Sequence, residues 1–252
     1  MTKSIVRVKN IKKSYGNKVA VDGISFEVAA GEIFGILGPN GAGKTTTLEM
    51  IETMRSIDSG KISVDGIDVS KDPQEIKYII GVQPQTASFQ DKQKITEIIE
   101  MFAAAYGEKV NPLEFLEEVQ LIDSADKFVE ELSGGQNQRL SIAVALVHSP
   151  KVFFLDEPTT GLDPQARRNL WDLVKYIRKR GVTVIMTTHY MEEAEILCDR
   201  VAIMDNGKII ALDKPTNLIK QLLSRGFTKH QEVEKANLDD VFIDLTGKGL
   251  RD

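Results

Sequence analysis

The chain has 252 residues, and its 37 acidic and 32 basic side chains give a formal net charge of −5. This length allows a domain with its own buried core, and the slightly acidic balance gives no electrostatic reason to expect nucleic acid as a partner. The single cysteine, Cys198, excludes an internal disulfide and favours a reducing, cytoplasmic setting.

Two features of the sequence bear on membranes. The N-terminal segment MTKSIVRVKN has no apolar stretch after its charges, so neither a signal peptide nor a transit peptide is indicated. The longest apolar segments are far shorter than the roughly 20 residues that a membrane-spanning helix needs. We therefore expect no transmembrane segment in this chain, and any membrane role must come through a partner.

Short β-branched segments alternate with helical patterns, which predicts a parallel-type α/β core. The predicted strands are residues 6–8, 24–28, 33–37, 62–64, 79–82, 152–155, 183–187, 201–204 and 209–212. The early strands are expected to pair in antiparallel fashion. Asp65-Gly66 and Asn206-Gly207 lie between apolar segments and predict turns, the second in a hairpin that joins the last two strands.

Strand patterns stop at residue 96, and helical patterns take over at 96–106, 112–119 and 133–148. This predicts a helical lobe, at about residues 86–150, inserted in the α/β core. Two more helices are expected after residue 212. The last starts at Asn237, ends at Gly247 and carries an apolar stripe, which is expected to pack in the core; a dimer or partner contact is the alternative.

Residues 38–45 read GPNGAGKT, between the apolar segment IFGIL and a helix-competent stretch. Glycines in such a loop let backbone N–H groups surround phosphate oxygens at a helix N-terminus, which predicts a phosphate-binding loop. Lys44 is expected to reach the β and γ phosphates, and the hydroxyl of Thr45 to bind Mg²⁺. The predicted nucleotide-binding residues of this loop are Gly38, Pro39, Asn40, Gly41, Ala42, Gly43, Lys44, Thr45 and Thr46.

The segment VFFLDE places four apolar residues before Asp156 and Glu157, at the carboxyl end of a predicted buried strand. Open α/β sheets bind their ligands beyond this edge, and adjacent carboxylates there need a cation. Asp156 is expected to hold Mg²⁺, directly or through water, and Glu157 to polarise the water that attacks the γ phosphate. A plain acidic strand end is the alternative.

The segment LSGGQ, residues 132–136, opens a predicted helix. Ser133 and Gln136 have the spacing of a capping box, so part of this motif is explained by helix chemistry. Gly134 and Gly135 also free backbone N–H groups for an anion. In a chain that already has one complete phosphate loop, a second anion site suggests contact with a second nucleotide.

These three motifs, in this order, resemble the nucleotide-binding domains of ATP-binding cassette (ABC) proteins over roughly residues 5–212. The resemblance implies the ABC ATPase fold in residues 1–212: a P-loop NTPase α/β core with an antiparallel β subdomain and an inserted α-helical subdomain. Residues 213–252 would form a C-terminal helical tail. The resemblance also implies that LSGGQ contacts the ATP bound by a second subunit, so that two copies sandwich two ATP molecules head to tail.

Other positions resemble functional residues of this family. Tyr15, in KSYGN, resembles the aromatic residue that stacks on adenine; a surface packing role is the alternative. Gln85, in GVQPQ, resembles the glutamine that contacts Mg²⁺ and water, and it is preferred over Gln83 because it directly follows a proline. Asp163, in TTGLDP, resembles the aspartate that crosses the dimer interface, and it also fits a helix N-cap before proline. His189, in IMTTHYMEE, resembles the histidine that contacts the γ phosphate; a polar helix-start residue is the alternative.

The segments HYMEEAEILCDRVAIMDNGKIIA and NLDDVFIDLTGKGLRD resemble the ATPase subunits of type-2 drug and antibiotic exporters. This resemblance implies a subunit that hydrolyses ATP with Mg²⁺, pairs with a second ATPase subunit and powers a separate membrane permease. It would be cytoplasmic and bind the membrane through that permease, docked in the groove between the helical lobe and the Gln85 loop. A soluble ABC ATPase that remodels a protein or nucleic-acid partner is the alternative.

Overall fold

The structure is a computed structural model that describes residues 3–84 and 89–227. The chain divides into two compact units, Met1–Leu218 and Ile219–Asp252. Gln85 and the helix predicted from Asn237 lie outside the described residues. The strands and helices are, in chain order, β1 (Ser4–Tyr15), β2 (Lys18–Ala29), β3 (Ile33–Leu37), α1 (Lys44–Ile51), β4 (Ser59–Val64), β5 (Ile67–Asp68), α2 (Pro73–Lys77), β6 (Ile80–Gln83), α3 (Ile95–Ala105), α4 (Pro112–Glu118), α5 (Gly134–Leu146), β7 (Val152–Asp156), α6 (Pro164–Lys179), β8 (Thr183–Thr188), α7 (Met191–Leu197), β9 (Arg200–Asp205), β10 (Lys208–Asp213) and α8 (Pro215–Ser224).

Four strands form an antiparallel sheet in the order β2-β1-β4-β5. The antiparallel pairing of the early strands is therefore confirmed, although β1 and β2 are each 12 residues long and extend well beyond the predicted segments. The extension follows from a tight turn between Tyr15 and Lys18, where Gly16 adopts a φ of +57° that glycine reaches without steric strain. The turn at Asp65-Gly66 is also confirmed, and it leads into β5, a strand of two residues that the pattern missed.

The second sheet has the order β10-β9-β3-β8-β7-β6, and all its pairs are parallel except β9 with β10. The predicted parallel core is thus confirmed, as is the hairpin at Asn206-Gly207. Strands β3, β7 and β8 are buried along their whole length, which explains why their apolar residues follow one another instead of alternating with exposed polar ones.

The central sheet separates two hydrophobic cores. In β7, Phe153 and Leu155 pack in a core with the helices α3 to α7, whereas Val152 and Phe154 pack in a core with α1 and the antiparallel sheet. Successive side chains of a strand point to opposite faces, so one short strand contributes to both cores. The carboxyl ends of β3, β7 and β8 meet at one edge, where the chain places its phosphate loop and its acidic residues.

The interval predicted as a helical lobe contains α3, α4 and α5, with two short 3-10 turns at Ile122–Ser124 and Val129–Glu131. Their boundaries differ from the predicted ones by one or two residues, because Lys94 and Ser133 act as N-caps and the chain leaves α5 after Leu146. The first compact unit extends to Leu218, six residues past the end that the sequence suggested. None of the helices that the structure describes has the length and apolar character needed to cross a bilayer.

Candidate nucleotide-binding site

The predicted phosphate loop lies between β3 and α1. Gly43 caps α1 with a φ of +101°, and a Cβ atom there would lie 2.5 Å from the carbonyl oxygen of Ala20, so only glycine fits. The buried ammonium group of Lys44 donates to the carbonyl oxygens of Gly38 at 2.8 Å and Pro39 at 3.3 Å. The loop therefore closes around Lys44 and keeps its charge at the N-terminus of α1, where an anion is favoured.

Asp156 ends β7 beside the first turn of α1. Its Oδ1 lies 3.3 Å from the Thr45 hydroxyl, and the hydroxyl of Thr187 at the end of β8 donates to the same oxygen. Carboxylate and hydroxyl oxygens suit Mg²⁺, which takes much of its coordination from water and substrate phosphates. Thr45 and Asp156 would supply only part of such a coordination shell. Among the described residues, no group of three or more His, Cys, Asp or Glu side chains could hold a metal ion.

Glu157 follows β7 in a left-handed backbone conformation, with a φ of +47°. Its backbone N–H donates to the Thr187 hydroxyl at 3.0 Å, which ties it to the end of β8. One carboxylate oxygen lies 3.1 Å from Lys44 Nζ, and the other lies 3.1 Å from His189 Nδ1 and 3.4 Å from the Thr160 hydroxyl. A non-glycine residue held at positive φ implies that its surroundings fix this conformation, here with the carboxylate aimed into the site.

An open cleft of about 620 Å³ joins these groups. Tyr15, Lys44, Thr45, Glu157 and His189 all line it, so the structure brings together predicted site residues from distant parts of the sequence. Tyr15 lies at the end of β1 rather than in a loop, and the residue is 41% exposed. The guanidinium group of Arg55 lies 5.2 Å from its ring centroid, a contact that orients the ring. The volume is in the range of small-molecule sites.

The LSGGQ segment begins α5. Ser133 Oγ accepts from the Gln136 N–H at 3.3 Å, and Gln136 Oε1 accepts from the Ser133 N–H at 3.0 Å, so the predicted capping box is confirmed. Gln136 also donates to the hydroxyl of Ser124 at 3.2 Å, which anchors its side chain. Gly134 and Gly135 are thereby left at the open N-terminus of the helix.

Asp163 is the N-cap of α6, as expected, and its Oδ1 accepts from the N–H groups of Gln165 and Ala166, each at 2.9 Å. It lines a second cleft, of about 340 Å³, together with Ser133, Gly134 and Gly135. This cleft shares no lining residue with the cleft around Lys44. Within one chain, the LSGGQ segment and Asp163 are therefore near each other but separate from the phosphate loop.

The sequence reasoning missed the hydroxyl groups around the acidic pair. Thr187 contacts both Asp156 and the N–H of Glu157, and Thr160 contacts the Glu157 carboxylate. Polar residues at the end of an otherwise apolar strand, as in IMTTH, were the available signal. Gln83, the competitor of Gln85, is buried; its amide nitrogen donates to the Pro84 carbonyl oxygen, and its Oε1 has no hydrogen-bond partner among the described residues.

Comparisons with known proteins agree with this arrangement. The family model described as "ABC transporter" matches residues 21–160. The linearmycin resistance ATP-binding protein LnrL of Bacillus subtilis (strain 168) is 43% identical over 223 residues, covering 86% of this chain and 72% of the relative. The Nod factor export ATP-binding protein I of Burkholderia orbicola (strain AU 1054) is 36% identical over the whole of both chains.

A solved structure is similar throughout the fold. It is a dimeric ATP-binding cassette in a post-hydrolysis state, bound to ADP and Pi, with a TM-score of 0.74 and 27% identity. The match covers 83% of this chain and 98% of that structure. Family model, relatives and fold all lead to one conclusion: the chain belongs to the ABC transporter family, as an ATP-binding and ATP-hydrolysing subunit with the ABC ATPase fold.

Proposed function

We propose that this chain powers export of drugs, antibiotics or other hydrophobic compounds, as one of two ATPase subunits that close head to tail on two Mg²⁺-ATP. The observation that carries the paired arrangement is the separation of the two clefts. The phosphate loop with Glu157 lines one, and Gly135 with Asp163 lines the other. A second copy, turned head to tail, would bring the second cleft of one chain over the first cleft of the other.

The predicted site residues in and beside the first cleft each have a chemical task in this proposal. The loop N–H groups and Lys44 bind the β and γ phosphates, and the exposed Tyr15 ring stacks on adenine. When bound, Mg²⁺ neutralises phosphate charge, and Thr45 and Asp156 are the residues that would hold it. Glu157 orients and polarises the attacking water, and His189, 3.1 Å from that carboxylate, contacts the γ phosphate.

In this proposal, the LSGGQ segment binds the γ phosphate of the partner's ATP through Ser133, Gly134, Gly135 and Gln136. Their open helix N-terminus is suited to an anion, and the capping box already occupies the side chains of Ser133 and Gln136. Hydrolysis turns the γ phosphate into inorganic phosphate, and release of this phosphate would remove the anion that both subunits share and let them separate.

The permease is proposed to dock in a cleft of about 400 Å³ between the α/β core and the helices α3 and α5. Met54, Val82 and Phe102 supply an apolar lining, and the ring of His148 stacks on Tyr106 with centroids 3.9 Å apart. A mostly apolar cleft at the junction of two subdomains suits insertion of a short helix. The subunit would then lie on the cytoplasmic face of the membrane.

Export is supported by the relatives, whose names refer to linearmycin resistance and to Nod factor export. The decisive experiment is affinity purification of the tagged chain from its native membrane. We expect a polytopic membrane protein to co-purify and to raise the ATPase rate. A salt-sensitive complex with RNA or DNA, and no membrane protein, would contradict transport and favour the soluble remodelling ATPase.

A further inference from the structure

Glu193 is a buried carboxylate that the proposed nucleotide chemistry does not use. It lies in the first turn of α7, four residues after His189 in the sequence, and its exposure is 0%. Burial raises the pKa of Glu193, since the charged form loses hydration. A carboxylate in such a place is costly unless specific partners hold it.

The partners of Glu193 come from a different helix. The indole N–H of Trp171, on α6, donates to Glu193 Oε1 at 3.0 Å, and this bond is buried. The bond from Trp171, the hydroxyls of Thr188 and Thr159 and the charge of Arg167 offset part of this rise in the pKa of Glu193. Glu193 is therefore hydrogen-bonded across α7 and α6, with Thr188 at the end of β8 and Thr159 in the turn after Glu157 as neighbours.

Three buried polar atoms near this carboxylate make no hydrogen bond within the described residues. They are Glu193 Oε2, Thr159 Oγ1 and Arg167 Nε. Each belongs to a different element, namely α7, the turn after β7 and α6. Buried polar atoms are nearly always paired. Here the acceptor Glu193 Oε2 and the donors Thr159 Oγ1 and Arg167 Nε belong to one buried network, which suggests that they form hydrogen bonds in another state of the ATPase cycle.

A second contact joins the same two helices. The guanidinium group of Arg167 lies over the ring of Tyr190, 4.6 Å from its centroid, and that ring lies 4.1 Å from the ring of His189. The Tyr190 N–H donates to the Thr188 hydroxyl at 3.0 Å. The segment that carries His189 thus packs against α6, and Asp163 caps the first turn of that helix.

We infer that Glu193 is a positioning residue for ATP hydrolysis. Through its bond to Trp171, it fixes the position of the segment that carries His189 relative to the turn from Glu157 to Asp163. This inference rests on the proposed roles of Glu157, His189 and Asp163. When closure of the two subunits shifts that turn, Thr159 or Arg167 would supply the missing donor to Glu193 Oε2. The carboxylate would thereby stabilise the closed, hydrolysing arrangement more than the open one.

The first test is steady-state ATPase kinetics. We expect Glu193→Ala to lower kcat by about 10- to 100-fold, because small displacements of catalytic groups are costly, and to change KM for ATP by less than about twofold. Glu193→Gln keeps an acceptor for Trp171 and should recover part of the loss. Glu192→Gln is the matched control, since Glu192 is an exposed neighbour in the same helix.

The second test uses Trp171, the single tryptophan of the chain, as a reporter. In a Glu157→Gln background, saturating Mg²⁺-ATP should shift the emission of Trp171, because its N–H partner rearranges. Adding Glu193→Gln should remove this shift, whereas adding Glu192→Gln should leave it. Trp171→Phe removes the donor without changing the carboxylate, and we expect it to lower kcat as well.

The outcomes separate this inference from the proposed function. Two results would overturn the inference alone. One is a normal kcat in folded Glu193→Ala and Trp171→Phe proteins. The other is a Trp171 emission that ATP leaves unchanged in a Glu157→Gln protein that still dimerises. If Glu193→Ala does not fold, Glu193→Gln and Trp171→Phe decide by the same criteria. Failure of the Glu157→Gln protein to dimerise with ATP would instead contradict the proposed function.

Discussion

The ammonium group of Lys44 lies 3.1 Å from the carboxylate of Glu157, and both side chains are almost fully buried. One residue opens α1 and the other follows β7, so the pair joins the phosphate loop to the acidic strand end. A buried ion pair adds little net stability, but removing one partner costs about 3–5 kcal/mol because the other charge stays uncompensated. The predicted phosphate ligand and the predicted base therefore hold each other in place.

Replacing Glu157 by glutamine should separate ATP binding from hydrolysis. The amide keeps the shape of the side chain but cannot act as a base, so we expect turnover to fall by about 10²- to 10⁴-fold with ATP still bound. Phosphate release and nucleotide binding by filtration measure the two effects. Undiminished turnover would show that another group activates the water, and Glu192→Gln controls for the loss of one negative charge.

An acidic residue at Gly134 should disrupt pairing without harming the monomer. A Cβ atom there meets no atom within 4 Å of the chain itself, whereas one at Gly135 would lie 3.2 Å from the Cβ of Ala166. Gly134→Asp places a negative charge at the N-terminus of α5, where it favours the isolated helix by about 0.3–1 kcal/mol but repels a partner's phosphate.

We therefore expect Gly134→Asp to raise or preserve Tm and to abolish ATP-driven dimerisation in a Glu157→Gln background. Size-exclusion chromatography with and without ATP gives the oligomeric state, and Gly134→Asn is the uncharged control of the same size. A Gly134→Asp protein that still dimerises would reduce LSGGQ to a helix cap.

Asp163 has a confirmed role as a cap and a predicted role at the dimer interface, and two substitutions distinguish them. Asp163→Ala removes the acceptor of two backbone N–H groups and should cost about 1 kcal/mol, whereas Asp163→Asn caps nearly as well. If the charge acts across the interface, both variants should impair ATP-driven dimerisation, but only the alanine variant should lower Tm. Normal dimerisation by Asp163→Asn would contradict the interface role of the charge.

Glu52 should make stability depend on pH. Burial, together with the charges of Asp156 and Glu49, raises the pKa of Glu52 from 4.5 to about 8. Between these values the folded state binds a proton that the unfolded state has lost, so stability falls as the pH rises through this window and levels off above about 8.

The Glu52→Gln variant lacks this titration, so its Tm should exceed that of the wild type at pH 8.5, and the difference should shrink towards pH 5. A gain in the free energy of unfolding on the order of a few kcal/mol corresponds to a rise in Tm of roughly 5–10 °C in a domain of this size. Thermal unfolding followed by circular dichroism at both pH values tests it, with Glu192→Gln as the exposed control. Equal differences at the two pH values would exclude Glu52 as the titrating group.

The sequence by itself determined the parts whose physics is local. The alternation of β-branched segments with helical patterns predicted the parallel core, and VFFL predicted a buried strand. GPNGAGKT predicted the anion site at the start of α1, because a loop and the next helix turn contain everything that binds phosphate. The capping box of Ser133 and Gln136 and the Asn206-Gly207 hairpin were likewise predicted, since hydrogen bonds between near neighbours define them.

Only the tertiary structure decided which distant groups meet. The contacts of Glu157 with Lys44 and His189, and the bond between Trp171 and Glu193, join residues on separate elements, and no spacing along the chain encodes such distances. The packing of α5 beside α6 also determined that Gly135 and Asp163 share one cleft while Lys44 lines another. Those relations depend on how the sheets and helices pack, and packing is a property of the whole core rather than of any segment.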